Sequence, residues 1–292
     1  MKIKFEIKTN KVKGLHFHPE KSWILMSTYK GEIQIWDYRS SALIANFSII
    51  NDKGEISELC VRSASFHSTQ PMIVCGGHDK NIHIFNYKTN RKMMTLTGHA
   101  DYIRSVFFHK DRPYIISASD DTTFRIWNWQ SRTQLIMVTG HSHYVMCARF
   151  HPTKNLIVTG SLDRTVRLWD YSKLLEKTQG SGVNTHISPF DVEQISIGDD
   201  HDNGVNWVAI DEVNDLIYSA GDDRKVRIWK IKESSPKMQD SDALFGHSYN
   251  VCAVAYNKKT DLVISCSEDL TLRVWNRSLG QCLETFKRNA EK

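Results

Sequence analysis

The chain has 292 residues, of which 40% are apolar, 24% charged and 10% aromatic, and its formal net charge is +5. This composition supports a substantial core and excludes wholesale disorder. No apolar run reaches the roughly 18 residues of a membrane span, and the charge is too small to argue for nucleic acid by itself.

The charged start MKIKFEIK lacks the apolar centre of a signal peptide, so the expected compartment is the cytosol. Residues 2–8 alternate like a strand and precede the first of six similar segments. Those segments end at Trp36, Phe85, Trp127, Trp169, Trp229 and Trp275, at spacings of 49, 42, 42, 60 and 46 residues. Most of these fall near the period of about 40–45 residues of a four-stranded propeller blade.

Each segment has the same anatomy. A run ending in Phe-His or its equivalent (LHFHP, ASFHS, VFFHK, ARFHP) precedes a β-branched run (YIIS, LIVT, LIYS, LVIS) and then an alternating one (FRIW, VRLW, VRIW, LRVW). Strict alternation puts one strand face into a core and the other toward a neighbour. The repeats are expected over 10–50, 55–97, 101–139, 143–200, 203–246 and 249–288. Between Tyr171 and His201 the chain is rich in Gly, Ser and Asn, so a long loop insertion at 171–201 is expected to interrupt or displace the outer strand of the fourth unit.

The six cysteines contain no C-x-x-C and read as small buried apolar residues. His16 with His18, and His141 with His143, are spaced to share a strand face, but no third ligand of metal-site type lies nearby, so neither a metal nor any other cofactor is expected.

Gly-His precedes three units (at His99, His141 and His247), and Trp-Asp or Trp-Asn closes four. These motifs identify the chain as similar to the WD40-repeat β-propellers. The resemblance implies an all-β propeller in a single domain over 1–292, with residues 1–9 as a closing strand. The six recognisable repeats are expected to form either a six-bladed ring with KIKFEIK outside it or, the favoured reading, most of a seven-bladed ring whose last blade is incomplete.

The resemblance also assigns the second carboxylate of each segment to the scaffold. Asp79, Asp121, Asp163, Asp223 and Asp269 form one column, with Lys30 the exception. In the third unit the expected network is His99, Ser117, Asp121 and Trp127; His141, Asp163 and Trp169, and His247, Asp269 and Trp275, are its counterparts. A Ser-His-Asp catalytic reading fails because the same set recurs from unit to unit, whereas catalysis needs one distinct site. No enzyme is expected.

Two columns do not repeat. The residues just before the structural carboxylate are Tyr29, His78, Asp120, Leu162, Asp222 and Glu268. Those near the start of each first strand are Lys13, Arg62, Arg104, Met146, Asn206 and Cys252, led two positions earlier by Lys11, Cys60, Tyr102, Tyr144, Gly204 and Asn250. In propeller geometry both columns reach one rim. Lys11, Lys13 and Arg62 then make a basic arc, with Asp101 and Asp120 as an acidic pair and Tyr29, Tyr102 and Tyr144 beside them. Such a rim suits a ligand with a carboxylate and ammonium groups. The competing reading is mutual pairing, with Arg104 neutralising Asp101 or Asp120.

The phrases KVKGLHFHPEKSWILMS, HADYIRSVFFHKDRPYIISASDDTTFRIWNWQSRT, TGHSHYVMCARFHPT and GVNWVAI resemble the amino-terminal propellers of the coatomer alpha subunit family of the COPI vesicle coat; the beta-prime subunits are similar. The resemblance implies binding of carboxy-terminal dilysine signals (KKxx, KxKxx) on membrane cargo returning from the Golgi to the endoplasmic reticulum. Lys11, Lys13 and Arg62 would meet the carboxylate, Asp101 and Asp120 a cargo lysine, and the three tyrosines the peptide. It further implies other coatomer subunits as partners, no nucleic acid, and only peripheral contact with Golgi and vesicle membranes from the cytoplasm. Lys11 stands where the family often has Arg, and His78 replaces a common acidic residue. The alternatives are a general WD40 scaffold that reads no terminal carboxylate and a nucleic-acid binder.

Overall fold

The computed structural model describes residues 11–50, 55–179, 187–232 and 237–287. These form six four-stranded antiparallel sheets, each taken from consecutive stretches of chain. The strand expected over residues 2–8 lies outside the described residues. The six sheets match the six repeats, and no strand of a seventh blade occurs among the described residues.

The chain divides into two compact units, Met1–Thr139 and Gly140–Lys292. The first holds β1–β4 (Val12–Phe17, Trp23–Thr28, Glu32–Asp37, Ala42–Ser48), β5–β8 (Val61–Phe66, Met72–Gly77, Ile82–Asn86, Arg91–Leu96) and β9–β12 (Ile103–Phe108, Tyr114–Ser119, Phe124–Asn128, Thr133–Val138). The first strand β5 neighbours both β1 and β9. Alternation gives each middle strand a buried stripe, so that Leu25, Ile33, Ile35 and Phe47 of one sheet meet Val61, Ala64, Ile73 and Phe85 of the next. Met72, Val74, Ile82 and Ile84 likewise join Ile103, Val106, Ile115 and Trp127. Full burial stabilises by about 1.5–3 kcal/mol for each large apolar side chain.

The second unit holds β13–β16 (Val145–Phe150, Leu156–Ser161, Val166–Asp170, Glu193–Gly198), β17–β20 (Val205–Asp211, Leu216–Gly221, Val226–Ile231, Met238–Leu244) and β21–β24 (Val251–Asn257, Leu262–Ser267, Thr271–Asn276, Gln281–Lys287). One cluster joins Tyr218, Val226, Ile228 and Leu244 to Val251, Val254, Val263 and Trp275. The connection expected to be a loop carries helix α1 (Ser172–Gln179) and a 3-10 turn, Pro189–Asp191. Leu174 and Leu175 of α1 are buried, which gives this polar stretch a reason to fold. The outer strand of the fourth blade is delayed by this insertion and is then complete, β16 pairing with β15 from Glu193 to Gly198.

Apolar side chains stay exposed on the first strand of the first sheet (Leu15, Phe17) and on the outer strands of the last (Leu272, Phe286), although their counterparts elsewhere, such as Ala64, Val106, Val226 and Leu244, are buried. All six cysteines are free. Cys60, Cys75 and Cys147 are buried as expected, but Cys252 and Cys282 are exposed and Cys266 is intermediate. The sixth sheet therefore departs from the compositional expectation.

The turn between the second and third strands explains the recurring carboxylate. The residue after it is left-handed in each of the five blades that carry it: Lys80, Thr122, Arg164, Arg224 and Leu270, with φ from 62° to 72°. The carboxylate accepts the main-chain N–H two residues on, as Asp121 does from Thr123 at 3.0 Å and Asp163 from Thr165 at 3.0 Å. This bond holds a backbone that L-residues rarely adopt. The first blade has Lys30 instead and places Gly31 in the left-handed position, at φ 82°. A Cβ there would lie 2.5 Å from the Ser57 carbonyl oxygen. Gly31→Ala is expected to destabilise the protein by roughly 1–3 kcal/mol, read as a fall in the thermal unfolding midpoint.

Candidate functional site

Each first strand carries a β-bulge near its start. The register skips one residue between Val12 and Gly14, Val61 and Ser63, Val145 and Cys147, Val205 and Trp207, and Val251 and Ala253; in the third sheet Arg104 is the unpaired residue between Ile103 and Ser105. The bulged residues are therefore Lys13, Arg62, Arg104, Met146, Asn206 and Cys252, the members of the second variable column. A bulge leaves the extra residue out of the ladder and re-aims its side chain.

A second recurring bond fixes the other column. The N–H of Tyr29 donates to the Lys11 carbonyl, His78 to Cys60, Asp120 to Tyr102, Leu162 to Tyr144, Asp222 to Gly204 and Glu268 to Asn250, at 2.8–3.0 Å. Each blade thus faces its bulged side chain toward the rim side chain 16 residues later. Lys13 holds its ammonium 5.6 Å from the centre of the Tyr29 ring, and Arg62 Nε donates to His78 Nε2 at 2.9 Å. Arg104 makes a two-pronged bond to Asp120, and Asn206 Nδ2 donates to Asp222 Oδ1 at 2.6 Å.

Within the first unit these pairs converge. His78 stacks on Tyr102 with ring centres 4.1 Å apart and planes 14° from parallel. Burial lowers the His78 pKa; the Arg62 and Arg104 guanidiniums and the Lys13 ammonium push the same way, and Asp120 opposes them. His78 is therefore a neutral acceptor among three cations at neutral pH. Apart from its bond to His78, Arg62 makes no other hydrogen bond or ion pair among the described residues, so its outer donors can meet an anion. Lys11, whose carbonyl accepts the Tyr29 N–H, is exposed.

The two acidic residues differ. The Asp120 side chain is only 4% exposed and is held by Arg104, itself 16% exposed. Its carboxylate is thus committed inside the blade. The Asp101 side chain is 43% exposed and lies 3.9 Å from Lys80 Nζ, while its Oδ1 accepts the Tyr102 N–H at 2.8 Å. Lys80, which also donates to the Ala100 carbonyl at 2.9 Å, was not singled out by sequence reasoning. Tyr144 belongs to the second unit, where its ring meets His143 edge-on. Among the described residues no group of three or more His, Cys, Asp or Glu side chains is placed to hold a metal ion.

The invariant column forms closed networks. His99 bonds Asp121 and Ser117, both at 2.7 Å, and Trp127 Nε1 donates to Ser117 at 2.8 Å. His141, Thr159, Asp163 and Trp169 repeat the pattern, as do His247, Ser265, Asp269 and Trp275. A fourth copy, His201 with Ser219, Asp223 and Trp229, was missed in sequence because Asp200 stands where Gly precedes the others. Its spacings of 18 and 22 residues from histidine to hydroxyl and to carboxylate are those of the other three and are the signal that would have found it. Burial by itself would raise the Asp121 and Asp163 pKa values, but the histidine and threonine bonds hold both well below the usual carboxylate range.

The family model described as "WD domain, G-beta repeat" matches residues 53–86, 90–128, 132–170, 193–230 and 239–276. It passes over the first repeat, whose sheet is nonetheless of the same kind. Among curated relatives, "Coatomer subunit alpha-1" of Arabidopsis thaliana is 57% identical over 47 residues, 16% of this chain and 4% of that protein. "Coatomer subunit beta'-1" of Oryza sativa subsp. japonica is 43% identical over 68 residues, 23% of this chain and 7% of the relative. "Putative coatomer subunit alpha" of Schizosaccharomyces pombe is 48% identical over 44 residues, 15% and 4% respectively. The aligned stretches thus span a small part of each relative's length.

Proposed function

The chain belongs to the WD40 family, and we propose that it is a non-enzymatic module of a COPI-type coat that binds carboxy-terminal dilysine tails (KKxx or KxKxx) of membrane cargo. The observation that carries this reading is the cluster of Lys13, Arg62 and Arg104 around His78 and Tyr102. Three cations, two exposed aromatic rings and an uncommitted guanidinium edge are complementary to a terminal carboxylate, for which charge-assisted bonds are strong. Asp101, half exposed on the neighbouring turn, is the carboxylate offered to a cargo lysine. Asp120 acts indirectly, by holding the Arg104 fork in place.

The short likenesses to coatomer alpha and beta-prime subunits support the same reading. On it, the other partners are coat subunits, and the module works in the cytoplasm against Golgi and vesicle membranes without entering the bilayer. The test is a binding series with a KxKxx peptide in free-acid and amidated forms. The free acid is expected to bind at least about tenfold more tightly, a difference that Lys13→Ala with Arg62→Ala removes. Equal binding of the two forms would leave the basic cluster without its partner and defeat the reading.

A further inference from the structure

The cationic groups of the first unit lie between two apolar surfaces. One is the Tyr102 ring, 37% exposed and stacked on the histidine that accepts from Arg62. The other begins at Tyr29, 51% exposed, beneath the Lys13 ammonium. The turn that carries Tyr29 is pressed against residues 57–59, since a Cβ on Gly31 would lie 2.5 Å from the Ser57 carbonyl oxygen and 3.0 Å from that of Leu59. Leu59 is 49% exposed and Ile56 66% exposed. Next in the chain, the Cys60 carbonyl accepts the N–H of His78 at 2.9 Å, the histidine to which Arg62 donates. The short segment 56–60 therefore places apolar side chains beside the cations.

We infer, resting on the carboxylate reading above, that this site also selects the last side chain of its ligand. The terminal residue is apolar, and its side chain lies on the shelf made by Tyr29 and Leu59 while its carboxylate meets Lys13 and Arg62. The carboxylate and side chain of a terminal residue leave one Cα, so fixing the first beside Lys13 brings the second to the ring over which Lys13 sits. A polar terminal side chain would be stripped of water there with no new partner, whereas an apolar one covers surface already turned to solvent.

The experiment uses peptides ending Lys-x-Lys-x-Leu, Lys-x-Lys-x-Ser and Lys-x-Lys-x-Asp, each as free acid and as amide, on the whole chain and on Leu59→Ser. The leucine acid is expected to bind about fivefold to tenfold more tightly than the serine acid, the gain from covering roughly half of one large apolar side chain. Leu59→Ser is expected to shrink that ratio while leaving the acid-to-amide ratio intact. Equal binding of the leucine and serine acids, or tighter binding of the aspartate acid, overturns the shelf. Loss of the acid-to-amide difference overturns the carboxylate reading instead. A leucine preference that survives Leu59→Ser also overturns the assignment.

Discussion

Replacing either member of the pair Asp120-Asp121 by alanine is expected to lower the unfolding free energy, by about 3–5 kcal/mol for Asp121 and about 1–3 kcal/mol for Asp120, because both carboxylates are buried but the Asp120 partner is partly open to water. Asp121, whose side chain is 7% exposed, accepts from the Ala100 and Thr123 N–H groups, the Thr123 hydroxyl and Arg125 Nη2, and bonds His99. Asp120 holds a two-pronged bond to the partly buried Arg104, and its removal takes away the carboxylate that offsets this guanidinium's charge inside the blade. Urea unfolding of the two variants measures the loss. The variants are expected to differ in binding: Asp120→Ala also weakens a dilysine peptide, because Arg104 loses its brace, whereas Asp121→Ala changes binding little at temperatures where the protein stays folded. Wild-type stability in Asp120→Ala would show that the Arg104 fork contributes nothing.

Acidification from pH 7 to pH 5 is expected to destabilise the fold well before its carboxylates titrate. In four blades the histidine at the end of the first strand accepts two main-chain N–H groups on Nδ1. His18 takes those of Glu20 and Lys21, His67 of Thr69 and Gln70, His109 of Asp111 and Arg112, and His151 of Thr153 and Lys154. A protonated ring has no lone pair there and would break both bonds. Burial lowers the pKa of all four, and brings His109 down to about 4. Between about pH 6.5 and pH 4 His109 is protonated in the unfolded chain and neutral in the folded one, and the lowered pKa values of the other three work in the same direction. The unfolded state then binds more protons, and stability falls as pH falls. Between pH 7 and pH 5 His109 alone contributes roughly 2 kcal/mol to this loss, and the other three act in the same direction.

The last two blades show how to test this. Asp211 and Asn257 stand in the same position and accept from Val213 and Asn214, and from Lys259. His109→Asn is therefore expected to keep most of the stability at pH 7 and to flatten its loss toward pH 5, as measured by urea midpoints at the two values. A variant with the wild-type slope would remove His109 from the explanation.

What recurs is legible in the sequence, whereas the Arg104–Asp120 pair is legible only as one of two competing readings. The aromatic column at Trp127 and its equivalents, and the carboxylate column at Asp121, repeat because every blade solves the same turn and burial problem, and periodicity reports this directly. Asp120 was read as a ligand contact because its column varies. Its partner Arg104 varies too, and two changing columns show no pattern until the constant separation of 16 residues is noticed. The helix at Ser172–Gln179 was hidden by its polar composition, since it is held by only a few buried leucines. Cys252 and Cys282 misled for the opposite reason: their residue type favours burial, but a bulge and an outer strand leave both exposed.

The bulge in each first strand has one more consequence. Its side chain makes no demand on the register of the ladder, so Lys13, Arg62, Arg104, Met146, Asn206 and Cys252 occupy equivalent addresses with little chemistry in common. Evolution, or a protein engineer, can rewrite one address at a time and change what a single blade presents, while the alphabet of turns and networks beneath it stays fixed.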